Sequence, residues 1–307
     1  MDIKSYLKEK REMIDSFLKT YFSLRTEPSI LHEAVKYSLF AGGKRIRPIL
    51  ALASYESCGG EPQDILPYAS ALELIHTYSL IHDDLPSMDN DDLRRGKPTS
   101  HKIFGEAIAI LAGDALLTEA FLLLSTHNSP FSLTPKLRLN KQVSVKPSSL
   151  IRIINEIAFA SGLHGMVAGQ AMDISSENSK PDKDALDFIH LHKTAALITA
   201  SVRMGGILSN VKEKKLKALT EYGKKVGLAF QIIDDILDIE GIDEILGKRA
   251  GSDIKMNKMT YPALYGIENS RKMAEDLISD AIDSLRTFSS EADNLREIAR
   301  YLLKRRT

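Results

Sequence analysis

Two stretches of this chain are almost free of charge and yet read as helices. From Ile65 to Ile81 only Glu73 and His76 can readily carry charge, and from Ala107 to Leu124 only Asp114 and Glu119 break an apolar run. A helix that is apolar on nearly all sides has to be surrounded by other protein. The remaining residues of the 307 must therefore supply a shell of further helices. They have the pattern for it: Leu31, Ala34, Val35, Ser38 and Leu39 fall on one helix face. Alternating runs rich in Val, Ile and Thr are scarce, so the expectation is an all-α fold.

The breaks at Gly42-Gly43, Gly59 to Pro62, Pro86, Gly96 to Pro98, Ser179 to Pro181 and Gly247 to Gly251 are short. With no long linker and no internal repeat, residues 1–307 read as a single domain. Thr126 to Ser149, rich in Ser and Pro with four basic residues, reads as a surface loop. Lys+Arg and Asp+Glu number 41 each, so the basic excess of a nucleic-acid binder is missing and no nucleic-acid partner is expected. A single cysteine, Cys58, excludes a disulfide framework and a thiolate metal cluster. The Ala107–Leu124 run is short for a membrane span and carries two acids, so no span is expected. The charged start, MDIKSYLKEKREMID, lacks the apolar core of a secretory signal and points to the cytoplasm.

The first apolar run ends in His82-Asp83-Asp84-Leu85-Pro86-Ser87-Met88-Asp89. Adjacent carboxylates at the end of an apolar helix are costly unless paired or metal-bound. Pro86 should end the helix and let Asp89 swing back toward Asp83. A second set, Asp234, Asp235 and Asp238, follows Phe230-Gln231 among Ile and Leu, with Asp234 and Asp238 on one helix face. One such pair alone is equally well a solvated helix end; two on apolar helices are harder to dismiss. A calcium loop starting at Asp89 fails, because Arg94 stands where the required glycine belongs. Carboxylates without a His or Cys cluster suit Mg²⁺, which completes its shell with water and substrate phosphates. The implied ligand is a phosphate or diphosphate.

Cations flank these acids. Gly42-Gly43-Lys44-Arg45-Ile46-Arg47-Pro48 joins a helix end to a new helix, with Pro48 at its first position. A helix N-terminus beside Lys44 and Arg47 is an anion site. Arg94 and Arg95 follow the first acidic set, Lys193-Thr194 sits in a helical run from Asp187 to Met204, and Lys248 and Lys258 follow the second set. Any one of them alone reads as a surface charge; their joint placement does not.

These blocks together resemble the trans-type isoprenyl diphosphate synthases. The glycine-lysine-arginine block at 42–48, Asp83-Asp84-x-x-x-x-Asp89 with Asp91-Asp92-Leu93-Arg94-Arg95-Gly96, and Asp234-Asp235-x-x-Asp238 match. So do Gly169-Gln170-x-x-Asp173, His192-Lys193-Thr194, Phe230-Gln231 and Gly247-Lys248-x-x-Gly251-x-Asp253. The resemblance runs from about Leu31 to the end. It implies a helical bundle of the isoprenoid synthase type around a central apolar cavity, and a homodimer. Mg²⁺, three ions per site with Mn²⁺ as an alternative, would be held by Asp83, Asp89 and Asp234, with Asp84, Asp235 and Asp238 as further metal residues of the same motifs. Arg94, Lys193, Lys248 and Lys258 would neutralise an allylic diphosphate. Lys44, Arg47, His76 and Arg95 would hold isopentenyl diphosphate. Lys193 (through its carbonyl), Thr194 and Gln231 would offer negative dipoles to an allylic cation, and Asp173 would support them. The reaction implied is ionisation, condensation and proton loss, which needs no side-chain nucleophile.

Product length should depend on what lies below Asp83. Ser79, one turn below, is small. Tyr78, five residues before, is bulky; in the family an aromatic there goes with the fifteen-carbon farnesyl product, although a core tyrosine with no say in length is the alternative. The leading reading is a farnesyl diphosphate synthase. The rivals are a geranylgeranyl synthase, a cyclase or head-to-head synthase, which would not need the Lys44/Arg47 cradle, and a non-catalytic partner subunit. The basic tail, Lys304-Arg305-Arg306, reads as a solvated helix end or as a cover for the isopentenyl site.

Overall fold

The computed structural model describes residues 2–23, 27–125, 145–177, 182–240 and 258–304. The chain forms two compact units, residues 1–49 with 63–144 and residues 50–62 with 145–307.

The first unit holds α1 (Ile3–Tyr21), α2 (Ser29–Leu39), the start of α3 (Ile46–Glu56) and α4 (Leu66–Asp83). Strands β1 (Leu93–Arg94) and β2 (Lys97–Pro98), then α5 (Ser100–Phe104) and α6 (Glu106–Ser125), complete it. As its sequence requires, α4 is enclosed: α1, α2 and α6 pack against it, and Leu72, Leu74 and Ile75 are fully buried. Each such side chain contributes roughly 1.5–3 kcal/mol. The second apolar run corrects the expectation. Helix α6 buries Ala109, Ala112, Gly113, Leu116 and Ala120 but leaves Ile110 and Leu111 42% and 50% exposed. Its small residues let α4 approach closely on one side only; a Cβ on Gly113 would collide with the His82 ring. By length and mean hydropathy alone, Glu106–Ser125 and Pro147–Ser175 are apolar enough to cross a membrane. Within its unit, α6 packs on α2, α4 and α5.

The second unit takes the rest of α3, α7 (Pro147–Ser161), α8 (Met166–Ser175) and α9 (Lys183–Ile189). A π-helical turn, His190–Ala195, leads into α10 (Ala196–Leu208) and the long α11 (Glu213–Glu240). α12 (Tyr261–Tyr265), α13 (Ile267–Ser284) and α14 (Asp293–Leu303) follow. α11 is the centre: α10 and α13 pack along it, and the hydroxyl of buried Tyr222 donates to the Leu295 carbonyl at 2.6 Å.

Among the described residues the all-α expectation holds apart from one small hairpin. Leu93 pairs with Pro98 and Arg94 with Lys97. Its two-residue turn, Arg95-Gly96, has φ of +55° and +74°, the handedness that matches strand twist. Two boundaries differ from the sequence reading. α7 starts at Pro147, inside the segment read as a loop to Ser149, because proline needs no amide partner in a first turn; residues 126–144 lie outside the described residues. α3 starts at Ile46, so Pro48 is its third residue, where its missing N–H still costs no helical bond.

Candidate active site

In the first unit, α4 carries Asp83 as its last residue. The chain then turns at Pro86, and the Asp89 amide donates to the Asp83 carbonyl at 2.9 Å, which is the return that the proline predicted. Asp83 and Asp89 are half-buried, whereas Asp84 is buried. Arg94 explains the difference: its Nε donates to Asp84 Oδ1 at 2.9 Å, its Nη2 bonds the same oxygen, and Nη2 lies 3.3 Å from Asp91 Oδ2. Burial works against the Arg94 charge, but Asp84 and Asp91 outweigh it and raise its pKa.

The hairpin turn sends Arg95 toward the glycine block, where its Nη1 donates to the Gly42 carbonyl. Gly43 has φ +127°, and a Cβ there would lie 2.7 Å from that guanidinium, so only glycine admits it. His76, half-buried on α4, is held well below the usual imidazole pKa, first by burial and then by the charges of Arg47, Arg95, Arg94 and Arg45. Two of these cations already face carboxylates, Arg45 those of Asp15 and Glu73 and Arg94 those of Asp84 and Asp91. The sequence-nominated Arg47, His76, Arg94 and Arg95 are thus brought together; Lys44 stands exposed on the same loop.

In the second unit, the π turn and α11 build a polar chain. Thr194 Oγ1 donates to Gln231 Oε1 at 2.6 Å, and Gln231 Nε2 donates to Asp235 Oδ1 at 2.9 Å. The other Asp235 oxygen accepts the Tyr261 amide at 3.1 Å and lies 3.5 Å from His190 Nε2. Lys193 Nζ donates to the buried Asp173 at 2.6 Å, which ties the π turn to α8. Gly169 makes that approach possible, since a Cβ would strike the Lys193 backbone. A π turn in place of the expected α-helical run is typical of functional positions. Lys193, Thr194, Gln231, Asp235, His190 and Lys258 line a cavity of about 50 Å³. His190 was not singled out from sequence. It is buried, with its pKa lowered to about 3 by burial first, so it is neutral, and its Nδ1 has no hydrogen-bond partner. The only sequence signal was its place one turn before Thr194. Asp234 is half-buried and Asp238 buried on α11, and Lys248 lies outside the described residues.

A family model described as polyprenyl synthetase matches residues 28–302. The chain belongs to the polyprenyl synthetase family. A farnesyl diphosphate synthase of Micrococcus luteus is 46% identical over 95% of this chain and 94% of its own. A geranylgeranyl diphosphate synthase of Cyanophora paradoxa is 44% identical over 99% and 97%. The crystal structure of an FPP/GFPP synthase from Zymomonas mobilis matches with a TM-score of 0.84 at 38% identity, over 98% of both chains. The chain is therefore a prenyltransferase with the all-α fold of this family.

The donor set fits the divalent metal chemistry of the polyprenyl synthetase family. Among the described residues no three carboxylate, imidazole or thiolate groups gather into a self-sufficient metal cage. Mg²⁺ needs none, because it takes one or two carboxylates and completes its shell with water and phosphate. Among the sequence-nominated acids, Asp84 holds Arg94 and Asp235 holds Gln231 and the Tyr261 amide; Asp83 and Asp89 in the first unit, and Asp234 in the second, are half-buried.

Proposed function

We propose that this prenyltransferase is a farnesyl diphosphate synthase, condensing isopentenyl diphosphate with dimethylallyl and then geranyl diphosphate. The observation that carries the product assignment is Tyr78, an aromatic five residues before Asp83 and only 6% exposed. Burial first, then Asp83, pushes its phenol up to about 12, so it stays neutral and walls a chain rather than titrating.

Asp83, Asp89 and Asp234 would hold Mg²⁺, whose chemistry is to make diphosphate a good leaving group. Arg94, Lys193 and Lys258 neutralise the allylic diphosphate. Its carbon–oxygen bond breaks with the electron pair leaving on diphosphate. Thr194 and Gln231 direct oxygen lone pairs at the resulting allylic cation, and such preorganised dipoles are usually the largest catalytic term. Lys44, Arg47, His76 and Arg95 hold isopentenyl diphosphate so that its double bond attacks the cation; the proton then lost goes to the released diphosphate. The apolar surroundings of α4 keep out the water that would quench the cation.

A geranylgeranyl product is the second reading, supported by the relative of that name at 44% identity. Homodimer formation belongs to the same proposal: the apolar Ile110 and Leu111 on α6, and separately Ile151 and Phe159 on α7, are exposed, as surfaces awaiting a second copy are. The test is to incubate the protein with Mg²⁺, dimethylallyl diphosphate and labelled isopentenyl diphosphate and to size the product. Fifteen carbons is the expected result, twenty moves the assignment to geranylgeranyl, and no elongation overturns the reading.

A further inference from the structure

Arg45 lies in sequence between two proposed substrate cations, Lys44 and Arg47, but faces the other way. It is 3% exposed, while Lys44 is exposed and Arg47 half-buried. Its backbone sits at φ +53°, the left-handed region that a side chain rarely occupies without a compensating hold. That hold is one planar guanidinium with three partners. Nε donates to Asp15 Oδ1 on α1 at 2.8 Å, Nη1 to Glu73 Oε1 on α4 at 2.8 Å, and Nη2 to the carbonyl of Leu39, the last residue of α2, at 2.7 Å. Burial works against this charge, and Glu73 and Asp15 outweigh it.

We infer that Arg45, Glu73 and Asp15 are positioning residues for the isopentenyl diphosphate cradle: they fix the 42–47 loop against α4 so that Lys44 and Arg47 meet the same diphosphate as His76. Glu73 is 1% exposed and stands three residues before His76, less than one helical turn away. Whatever sets the distance from the loop to Glu73 therefore sets its distance to His76. The far end of the loop is pinned too, by Arg95 on the Gly42 carbonyl. A buried ion pair is a poor stabiliser, since apolar residues of similar volume do as well or better. What the Arg45 fork supplies instead is direction: a lysine could not reach three partners in one plane.

The inference rests on the proposed isopentenyl diphosphate reading, and kinetics separate the two. Michaelis constants for isopentenyl and dimethylallyl diphosphate are measured for wild type, Glu73→Gln, Arg45→Lys and the milder Asp15→Asn, whose carboxylate is partly exposed. The expected result is an isopentenyl diphosphate KM raised about tenfold or more in the first two and about threefold in the third. The dimethylallyl KM should move less than about twofold, since uniform damage to the fold lowers kcat rather than one KM. An Arg45→Met/Glu73→Met double variant should melt at or above the wild-type temperature and keep the raised KM. Recovery of the wild-type KM in that variant, or parallel rises in both KM values in Asp15→Asn, would overturn the inference. A wild-type protein that elongates nothing would instead overturn the functional reading beneath it.

Discussion

Gln231 Nε2 donates to Asp235 Oδ1 at 2.9 Å, one turn along α11. A carboxylate only accepts hydrogen bonds, so it claims the amide nitrogen and leaves the amide oxygen pointing the other way, toward Thr194. That polarity is what a developing allylic cation needs. On the proposed function Asp235 acts through Gln231, although its motif spacing nominates it as a metal ligand alongside Asp234. Replacing Asp235 with Asn removes the preference, because an amide can offer either end. The expected outcome is a kcat lowered by about a hundredfold, the scale of losing one preorganised dipole, with the Mg²⁺ concentration for half-maximal rate unchanged. A metal titration in which Asp235→Asn needs several times more Mg²⁺ would instead make it a ligand.

Tyr78 packs edge-on against His82 on the next turn of α4, with ring centroids 5.8 Å apart and planes at 77°. His82 is itself fixed: its Nε2 lies 3.0 Å from the Ile110 carbonyl on α6, in the gap opened by Gly113. A tyrosine braced in this way is a rigid obstacle. Tyr78→Ala removes it and should shift the main product from fifteen to twenty carbons with little loss of total turnover. Chromatography showing farnesyl alone from that variant would reduce Tyr78 to a packing residue. The Ser79 hydroxyl folds back onto its own helix, donating to the His76 carbonyl at 2.9 Å, so Ser79 substitutions should affect length less.

The parts of this site that sequence made legible are those where composition and chemistry conflict. Asp83 and Asp234 were conspicuous because carboxylates are expensive beside Ile and Leu, and Pro86 announced the turn that returns Asp89 to Asp83. What stayed hidden depends on direction in space. Arg45 looks like Lys44 and Arg47 on paper, and only its burial separates it from them. The π turn at His190–Ala195 has no composition of its own, so His190 passed as one more helical residue. The Arg95-Gly96 turn lacks the usual Asn-Gly or Asp-Gly signature, and the hairpin went unread. The exposed side of α6 was invisible for a related reason: a run that is apolar all round carries no period to say which face is covered.

His76 gives the protein a pH dependence whose sign follows from its surroundings. Burial first, and then four guanidinium charges, hold its folded-state pKa well below that of a free imidazole. The unfolded chain therefore binds this proton first as pH falls, and stability must rise with pH wherever the unfolded state holds more protons. The group is silent above about pH 7 and destabilises progressively below about 6.5. For a histidine that stays neutral throughout in the folded state, the cost at about pH 5.5 is on the order of 1 kcal/mol at most. His76→Asn lacks the titration, so its urea midpoint should fall less than that of wild type between about pH 7 and 5.5. Adding isopentenyl diphosphate should shrink the wild-type slope, because an anion beside Arg47 and Arg95 offsets part of the positive field that disfavours protonation of the ring. Equal slopes in the two proteins would mean that His76 is not held neutral in the folded state.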